Sequence, residues 1–396
     1  MRFRHPDGSL VHLAYCTNVH PAETLDGVLA QLRDHCLPVR ERLGRDRLGI
    51  GLWLAHEAAH TLDTDPAALA LLRETLRRNG LEVVTLNGFP YRGFGSDRVK
   101  YRVYQPDWTT AERLDHTAAL ARILAALLPD DEPEGAISTL PLAWRTPFPP
   151  EARARSLDRL TALAGTLDQL HEATGRSIRV ALEPEPGCII ETTTQATDIL
   201  TGPGAPPPHR VGVCVDTCHL ATAFEDPDEA VPALTAAGVP VVKAQLSAAL
   251  HADEPDDPGV RAALAAFAEP RFLHQTRERA AAGPEGVLAR DDLDEALTGP
   301  EPLPARGPWR VHHHIPLNAR PAPPLSSTLP VLERVLTHLT GGPAPLTRHL
   351  EVETYTWEVL PPALRPTTRG GLADGIAAEL AVARDMLLTL GLKEEA

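Results

Sequence analysis

The chain has 396 residues, of which 43% are hydrophobic and 23% charged, as in ordinary globular proteins. Its net charge of −15 argues against nucleic-acid and anionic-membrane partners, because both bind basic surfaces. There is no run of about 18 apolar residues to predict a transmembrane helix. The N-terminus MRFRHPDGSL lacks the apolar core of a signal peptide, so we expect a cytoplasmic protein without membrane insertion.

Strand and helix patterns alternate along the chain. Strands are predicted over 12–20, 48–54, 81–89, 136–140, 180–182, 211–215, 241–247 and 350–357. Helices are predicted over 23–43, 66–78, 110–128, 149–174, 194–200, 228–237, 325–339 and 371–391. Near-continuous apolar strands separated by helices are typical of parallel sheets covered on both faces. Eight such units favour a barrel over an open sheet, and no GxGxxG follows the first strand to support a dinucleotide-binding sheet.

Two segments depart from this alternation. The loop over 91–110 is long enough to be functional, and its aromatic residues either stack on an aromatic substrate or pack on the barrel. The region 252–308 is rich in Pro, Asp and Gly, and an extra short strand is predicted after it over 311–317. We therefore predict a single TIM-barrel domain over 1–396, with an irregular insertion at about 252–310 after the seventh strand.

Polar side chains lie at or near the C-terminal ends of four of the predicted strands: Glu183 and Asp216 directly follow their strands, and Gln245 and Glu353 lie within theirs. The C-terminal ends of the strands meet at one rim of an α/β barrel, where such barrels assemble their sites. Three carboxylates at close range repel one another, and a divalent cation relieves this most simply. We therefore predict a metal site held by these four residues. The alternative is an ion-pair network in which Lys243 and Arg310 neutralise the carboxylates.

Other side chains are candidates for contact with a substrate. His219 lies three residues after Asp216 and is expected to face the same cavity, although an isolated histidine is often a packed or capping residue. Glu351 and Glu353 share one face of the last predicted strand, and Glu353 is nearer the rim. The remaining candidates for substrate binding are Asn18, His20, Asn87, His274, Arg277 and His313. An exposed salt-bridge role is equally open for His274 and Arg277.

Three motifs resemble those of the xylose-isomerase-like superfamily of sugar-phosphate isomerases and epimerases: LEPEP with Glu183, DTCH with Asp216 and His219, and ETYTW with Glu353. The resemblance implies a (β/α)₈ barrel that binds a divalent metal through residues of its last four strands. It also implies that Glu183 and Glu353 move protons on a carbon next to a carbonyl. The chain departs from the superfamily at Gln245, where the usual ligand is histidine.

More closely, the chain resembles the metabolite-traffic protein EboE family. The similarity runs nearly end to end and is carried by YCTNVHP at 15–21, LNGFPY at 86–91, LEPEPGC at 182–188, VDTCHL at 215–220, RFLHQTR at 271–277 and ETYTWEVLP at 353–361. It implies a role in moving or processing a small metabolite, with partners encoded in the same gene cluster. It does not imply a particular reaction.

The glutamine at position 245 affects the expected metal. An amide oxygen in place of an imidazole makes the site harder, which favours Mn²⁺ or Mg²⁺ while leaving Zn²⁺ as an alternative. It also lowers the affinity, and loss of the metal is the other outcome. In a strand, His312 and His314 would face one side and His313 the other, so an HxH pair can replace the missing ligand. The alternative is a second-layer or surface histidine cluster.

Two readings of function stay open. In the first, the protein is a metal-dependent isomerase or epimerase of a small metabolite. Glu183 or Glu353 removes a proton next to a carbonyl, an enediolate forms, and the other glutamate returns the proton. His219 and Asn18 position the substrate. In the second, it is a non-catalytic metabolite carrier on an isomerase-like barrel, which Gln245 favours. A DNA-repair endonuclease would need more histidine ligands and a basic groove, and the acidic charge argues against it.

Overall fold

The structure is a computed structural model that describes residues 1–280 and 286–395. Eight parallel strands form a closed barrel, because each pairs with the next along the chain and the last pairs with the first. The barrel strands are β1 (Leu10–Cys16), β2 (Leu48–Trp53), β3 (Leu81–Asn87), β4 (Glu134–Thr139), β5 (Ser177–Leu182), β6 (Val211–Asp216), β7 (Val241–Leu246) and β8 (His349–Val352). The predicted α/β barrel is confirmed.

Helices surround the barrel and pack against one another. The α-helices are Leu25–Gln31, Leu37–Leu43, His56–Thr64, Pro66–Arg78, Ala111–Leu127, Pro150–Thr174, Thr193–Thr201, Thr217–Thr222, Pro227–Ala236, Pro258–Ala265, Leu293–Thr298, Leu329–Thr340 and Arg369–Thr389. The helix predicted over 23–43 contains a π-helical turn at Leu32–Cys36, and the helix His56–Thr64 was not predicted. No helix in the described ranges combines the length and the apolar character that a membrane span requires.

The barrel strands are buried on both faces. All six residues of β2, β6 and β7 are buried, since the helices cover the outside and side chains fill the inside. Two short strands close the N-terminal end of the barrel: Arg2–Arg4 pairs with β1, and Lys393–Glu394 pairs with Arg2–Arg4. The opposite end, at the C-terminal ends of the strands, is left for the insertion and the long loops to cover.

The segment between β7 and β8 is more regular than its composition predicts. It contributes to a second sheet of five antiparallel strands, in the order Val287–Arg290, Thr276–Arg279, Trp309–Val311, Leu250–Ala252 and Ser326–Ser327. These strands have two to four residues each and lie among Pro- and Gly-rich turns, so they show no clear alternation in the sequence. The insertion predicted over about 252–310 includes residues 281–285, which lie outside the described residues.

Two predicted strands have only about half of their expected length, and the strands predicted over 12–20 and 81–89 end at Cys16 and Asn87. The strand predicted over 311–317 ends at Val311, because the backbone N–H of His313 bonds the carbonyl of Val311 at 2.7 Å and turns the chain. The strand predicted over 350–357 ends at Val352, and a 3₁₀ turn at Tyr355–Glu358 follows it. Both turns lie at the rim of the barrel and direct side chains over its mouth.

Candidate functional site

Three carboxylates meet at the C-terminal rim of the barrel. Glu183 directly follows β5, Asp216 is the last residue of β6, and Glu353 directly follows β8. One oxygen from each of the three lies within 4.8 Å of the others, and all three residues are buried, with relative exposures of 2 to 4%. The predicted convergence of these side chains is therefore present in the structure.

The backbone fixes one oxygen of Asp216 and leaves the other free. Oδ1 accepts hydrogen bonds from the N–H groups of Cys218 at 2.7 Å and His219 at 2.9 Å, and from the hydroxyl of Ser247 at 2.7 Å. Asp216 thereby caps the helix Thr217–Thr222. Its Oδ2 and the Oε2 of Glu183 are buried and have no hydrogen-bond partner among residues 1–280 and 286–395.

Two asparagines hold the third carboxylate. Asn18 and Asn87 both donate from Nδ2 to Oε1 of Glu353, at 2.7 and 2.8 Å. The Oδ1 of Asn87 accepts from the N–H of Phe89 at 3.0 Å, which fixes that amide. Both asparagines were predicted to bind substrate. They line the cavity above the carboxylates, and the contact each makes here is with Glu353.

Gln245 lies beside Asp216 and Glu351 in the sheet register, with a buried amide whose oxygen and nitrogen find no partner in the described part of the chain. An ion pair of the kind considered as the alternative to a metal site is found one layer of side chains deeper in the barrel. There Lys243 Nζ lies 3.0 Å from Glu351 Oε2, and both side chains are fully buried. Arg310 instead donates to the carbonyl of Ala221, away from the carboxylates.

No lysine or arginine of the described ranges forms an ion pair with Glu183, Asp216 or Glu353. Burial, and then repulsion from the other two carboxylates, raises the pKa of Glu183 well above its ordinary value. Burial and repulsion from Asp216 raise the pKa of Glu353 to about 8. Unpartnered buried oxygens and uncompensated charge fit a divalent cation held by these three residues, with Gln245 beside them.

Three imidazoles converge beside the carboxylates. Their Nδ1 atoms bond oxygens: His219 to Pro184 O at 2.9 Å, His312 to Gln275 Oε1 at 2.7 Å and His314 to Glu353 O at 2.7 Å. These bonds place the proton on Nδ1 and the lone pair on Nε2. The Nε2 atom of His312 lies 3.1 Å from that of His219 and 3.2 Å from that of His314.

These imidazoles add nitrogen donors to the site. Burial lowers the pKa of His312 well below its ordinary value and that of His314 to about 4, so both rings are neutral. Asp216, His219 and His314 form a second group whose donor atoms lie within 4.8 Å of one another. Oxygen donors suit Mn²⁺ or Mg²⁺, whereas imidazoles suit Zn²⁺. His313 faces away, as the alternation in HHH predicts.

A buried network beside the site was not predicted. Tyr104 donates its hydroxyl proton to Glu185 Oε1 at 2.7 Å, and Gln275 Nε2 donates to the same oxygen at 3.0 Å and to Pro186 O at 2.9 Å. These contacts orient the Gln275 amide so that its oxygen faces His312. The signal in the sequence is the second glutamate of EPEP, two residues after Glu183.

Four predicted substrate-binding residues lie away from the cavity. His20 stacks on His35, with ring centroids 4.0 Å apart. His274 uses both ring nitrogens, with His312 O and Glu269 Oε1, each at 2.9 Å. Arg277 pairs with Glu191 at 2.7 Å, and His313 stacks on His274 at 4.4 Å. None of these four lines the cavity.

The cavity above the carboxylates encloses about 510 Å³ of space, part of it open to solvent. Its floor is polar and its walls are apolar. The apolar and aromatic wall residues are Phe89, Pro90, Phe94, Val99, Val103, Tyr104, Phe272, Leu273 and Tyr355. Of the loop aromatics considered for stacking, Tyr91 and Trp108 are buried outside the cavity, and Tyr101 packs on Trp144.

A protein-family model described as a xylose isomerase-like TIM barrel matches residues 42–267, which is more than half of the chain. A search of curated proteins found no match.

Several solved structures are similar to this chain at low identity. A protein of Anabaena variabilis provisionally described as a sugar phosphate isomerase/epimerase gives a TM-score of 0.50 at 12% identity, over 97% of this chain and 100% of that one. An L-ribulose 3-epimerase gives 0.47 at 13% identity, over 98% and 100%. The IolI protein with a bound zinc atom gives 0.47 at 14% identity, over 96% and 98%. At these identities the likeness concerns the fold.

Proposed function

The chain belongs to the xylose isomerase-like TIM barrel family, and we propose that it is a metal-dependent enzyme that moves a proton next to the carbonyl of a small metabolite. The observation that carries the proposal is the buried set of Glu183, Asp216 and Glu353, with no lysine or arginine paired to it among the described residues. A divalent cation held there would supply Lewis-acid polarisation of the substrate oxygens.

The two glutamates are suited to proton transfer. Both line the cavity, so each carboxylate can reach a substrate carbon that is bound there. In the proposed reaction one of them takes the proton from the carbon and the other returns it. Asn18 and Asn87 hold Glu353 in one orientation, so that its proton transfer has a fixed direction. The Nε2 of His219, which lies 3.1 Å from that of His312, would accept a hydrogen bond from a substrate hydroxyl.

We further propose, from the resemblance to the metabolite-traffic EboE family, that the substrate is handed over by partners encoded nearby. A second candidate function is a carrier that binds the metabolite without converting it. Gln245 favours this alternative, because an amide in place of a histidine lowers the affinity for a metal. The two candidates differ in one measurable property, which is exchange of a substrate proton with the solvent.

Metal content tests the site itself. Elemental analysis of the purified protein is expected to find at least one manganese, magnesium or zinc per chain, and one equivalent is lost in Glu183→Gln and in Asp216→Asn. The matched control is Glu379→Gln, which changes a buried glutamate bonded to Thr354 and Trp357 outside the cavity and should retain the metal. Absence of metal from every preparation, even after Mn²⁺ is added, would refute the proposal.

Proton exchange separates the enzyme from the carrier. The manganese-loaded protein is incubated in D₂O with L-ribulose, D-fructose and 2-hydroxyacetophenone, and the proton next to each carbonyl is followed by NMR. Exchange that is lost in Glu183→Gln and retained in Glu379→Gln supports the enzyme. Binding of a compound without any exchange supports the carrier instead.

A further inference from the structure

The walls of the cavity are built from aromatic side chains of three separate segments. Phe94 comes from the loop after β3, Phe272 from the insertion, and Tyr355 from the turn after β8. The three rings contact one another, with centroid distances of 5.2 Å between Phe94 and Phe272, 4.8 Å between Phe272 and Tyr355, and 5.4 Å between Phe94 and Tyr355. Trp53 supports Phe94 from behind at 6.0 Å. The result is a packed apolar wall.

The cavity is poorly suited to a phosphate group. Lys100 is its one lysine or arginine among the residues described, and that ammonium is already paired with Asp292 and bonded to the carbonyl of Glu269 at 3.2 Å. Arg271, beside Phe272, pairs with Glu358. Apart from the proposed metal, a phosphate group in this cavity would therefore meet no unpaired lysine or arginine of the described residues that could neutralise its charge.

The cavity is equally poorly suited to the hydroxyl groups of a sugar chain. Most hydrogen-bonding side chains of the cavity lie at the floor with Glu183, Glu353 and the histidines. The polar groups of the walls already have protein partners: the hydroxyls of Tyr104 and Tyr355 contact Glu185 and His312, and the ammonium of Lys100 pairs with Asp292. A hydroxyl against Phe94, Val99 or Phe272 would lose its hydrogen bonds to water and gain none from the protein. An apolar body placed there gains from burial in proportion to its surface.

We infer that the ligand of this cavity carries two adjacent oxygen donors at one end and an apolar body at the other. The oxygens face Glu183, Glu353 and the imidazoles, and the body contacts Phe94, Phe272 and Tyr355. The inference rests on the proposed function for the placement of the oxygen-bearing end. The apolar walls support the apolar character of the body.

Hydroxamic acids test the inference, since they share one chelating head and differ in the body. Affinities of acetohydroxamic, benzohydroxamic, erythronohydroxamic and 4-phosphoerythronohydroxamic acids for the manganese-loaded protein are measured by isothermal titration calorimetry. Benzohydroxamic acid is expected to bind about thirtyfold more tightly than acetohydroxamic acid, the gain for roughly 80 Å² of ring surface leaving water. The two sugar-like compounds are expected to bind no more tightly than acetohydroxamic acid.

The wall is tested by substitution. Phe272→Ala should remove most of the advantage of benzohydroxamic acid and leave the affinity for acetohydroxamic acid unchanged. Phe148→Ala, at a half-buried phenylalanine outside the cavity, is the control and should alter neither. Comparison of two ligands on one variant separates a lost contact from a general loss of folded protein, because misfolding lowers both affinities together.

The outcomes distinguish this inference from the proposed function. If the protein takes up no manganese, the proposed metal site fails, and the inference fails with it. If the manganese-loaded protein binds no hydroxamic acid, the metal site stands and the inference is overturned. If acetohydroxamic acid binds but the phenyl ring adds nothing, or if either sugar-like compound binds most tightly, the metal site stands and the apolar substrate class is overturned.

Discussion

The ion pair beneath the site offers a direct test of how this barrel manages buried charge. Lys243 and Glu351 lie 3.0 Å apart and are fully buried, and the ammonium has two weaker contacts at 3.4 Å, with Leu86 O and Ser138 Oγ. Lys243→Met removes the positive charge at nearly constant volume. Glu351 is then left as a buried carboxylate without a counter-charge.

The size of the effect follows from the contact. At 3.0 Å and an effective dielectric constant of about 20, the attraction is roughly 5 kcal/mol. Removal of one partner of a buried pair typically costs about 3–5 kcal/mol, whereas replacement of both by apolar residues is often neutral. We therefore expect Lys243→Met to lower the free energy of unfolding by about 4 kcal/mol. The double variant Lys243→Met/Glu351→Met is expected to fall within about 2 kcal/mol of the wild type.

Urea unfolding followed by tryptophan fluorescence, in the presence of EDTA, measures all four corners of the double-mutant cycle without a contribution from metal binding. If the free energy of unfolding of Lys243→Met lies within about 1 kcal/mol of the wild-type value, the reasoning is refuted, because burial of an unpaired carboxylate costs more than that. A double variant that loses the sum of the two single effects would refute it equally, since the two charges would then be energetically independent.

Further predictions concern other positions. Gly51→Ala should lower the free energy of unfolding in urea by about 3 kcal/mol or more, because a β-carbon there would lie 1.6 Å from Oε2 of the buried Glu351. The control is Gly165→Ala, in a helix, where an added β-carbon would meet no atom within 4 Å and should not destabilise the protein. Burial lowers the pKa of His116 from 6.5 to about 3. Between these two pH values only the unfolded chain binds the proton, so the free energy of unfolding decreases as the pH falls below 6.5. From pH 7.5 to 5.0 the wild type should therefore lose about 2 kcal/mol more than His116→Leu; equal losses would contradict this. Asn87→Ala, which removes one of two amide donors to the rim glutamate after β8, should weaken manganese binding about tenfold in calorimetry, and an unchanged affinity would count against that role.

The rim of the barrel could be predicted from the sequence because a local rule governs it. Glu183, Asp216 and Glu353 each stand where an apolar run stops, and parallel strands bring such positions together. The same rule misplaced His20. After β1 the chain enters a 3₁₀ turn at Thr17–Val19, which directs Asn18 to Glu353 and leaves His20 against His35.

The walls of the cavity could not be predicted because no local pattern defines them. Phe94, Phe272 and Tyr355 are separated by many residues and meet only after the barrel closes and the insertion folds over it. The histidines 312–314 are an intermediate case. Their alternating orientation was expected from a strand, yet the strand ends at Val311, and the orientation is set by hydrogen bonds from His312 to Gln275 and from His314 to Glu353.

The way the rim carboxylates are held distinguishes them from the buried carboxylate of Glu379, which lies outside the site. There, three protein donors satisfy both oxygens. At the rim, the donors are concentrated on single oxygens: three on Oδ1 of Asp216 and two on Oε1 of Glu353. The Oδ2 of Asp216 and the Oε2 of Glu183 are left buried and without a donor from the described residues. Since an unpartnered buried oxygen is costly, this division supports the proposal that a cation or a substrate completes the site.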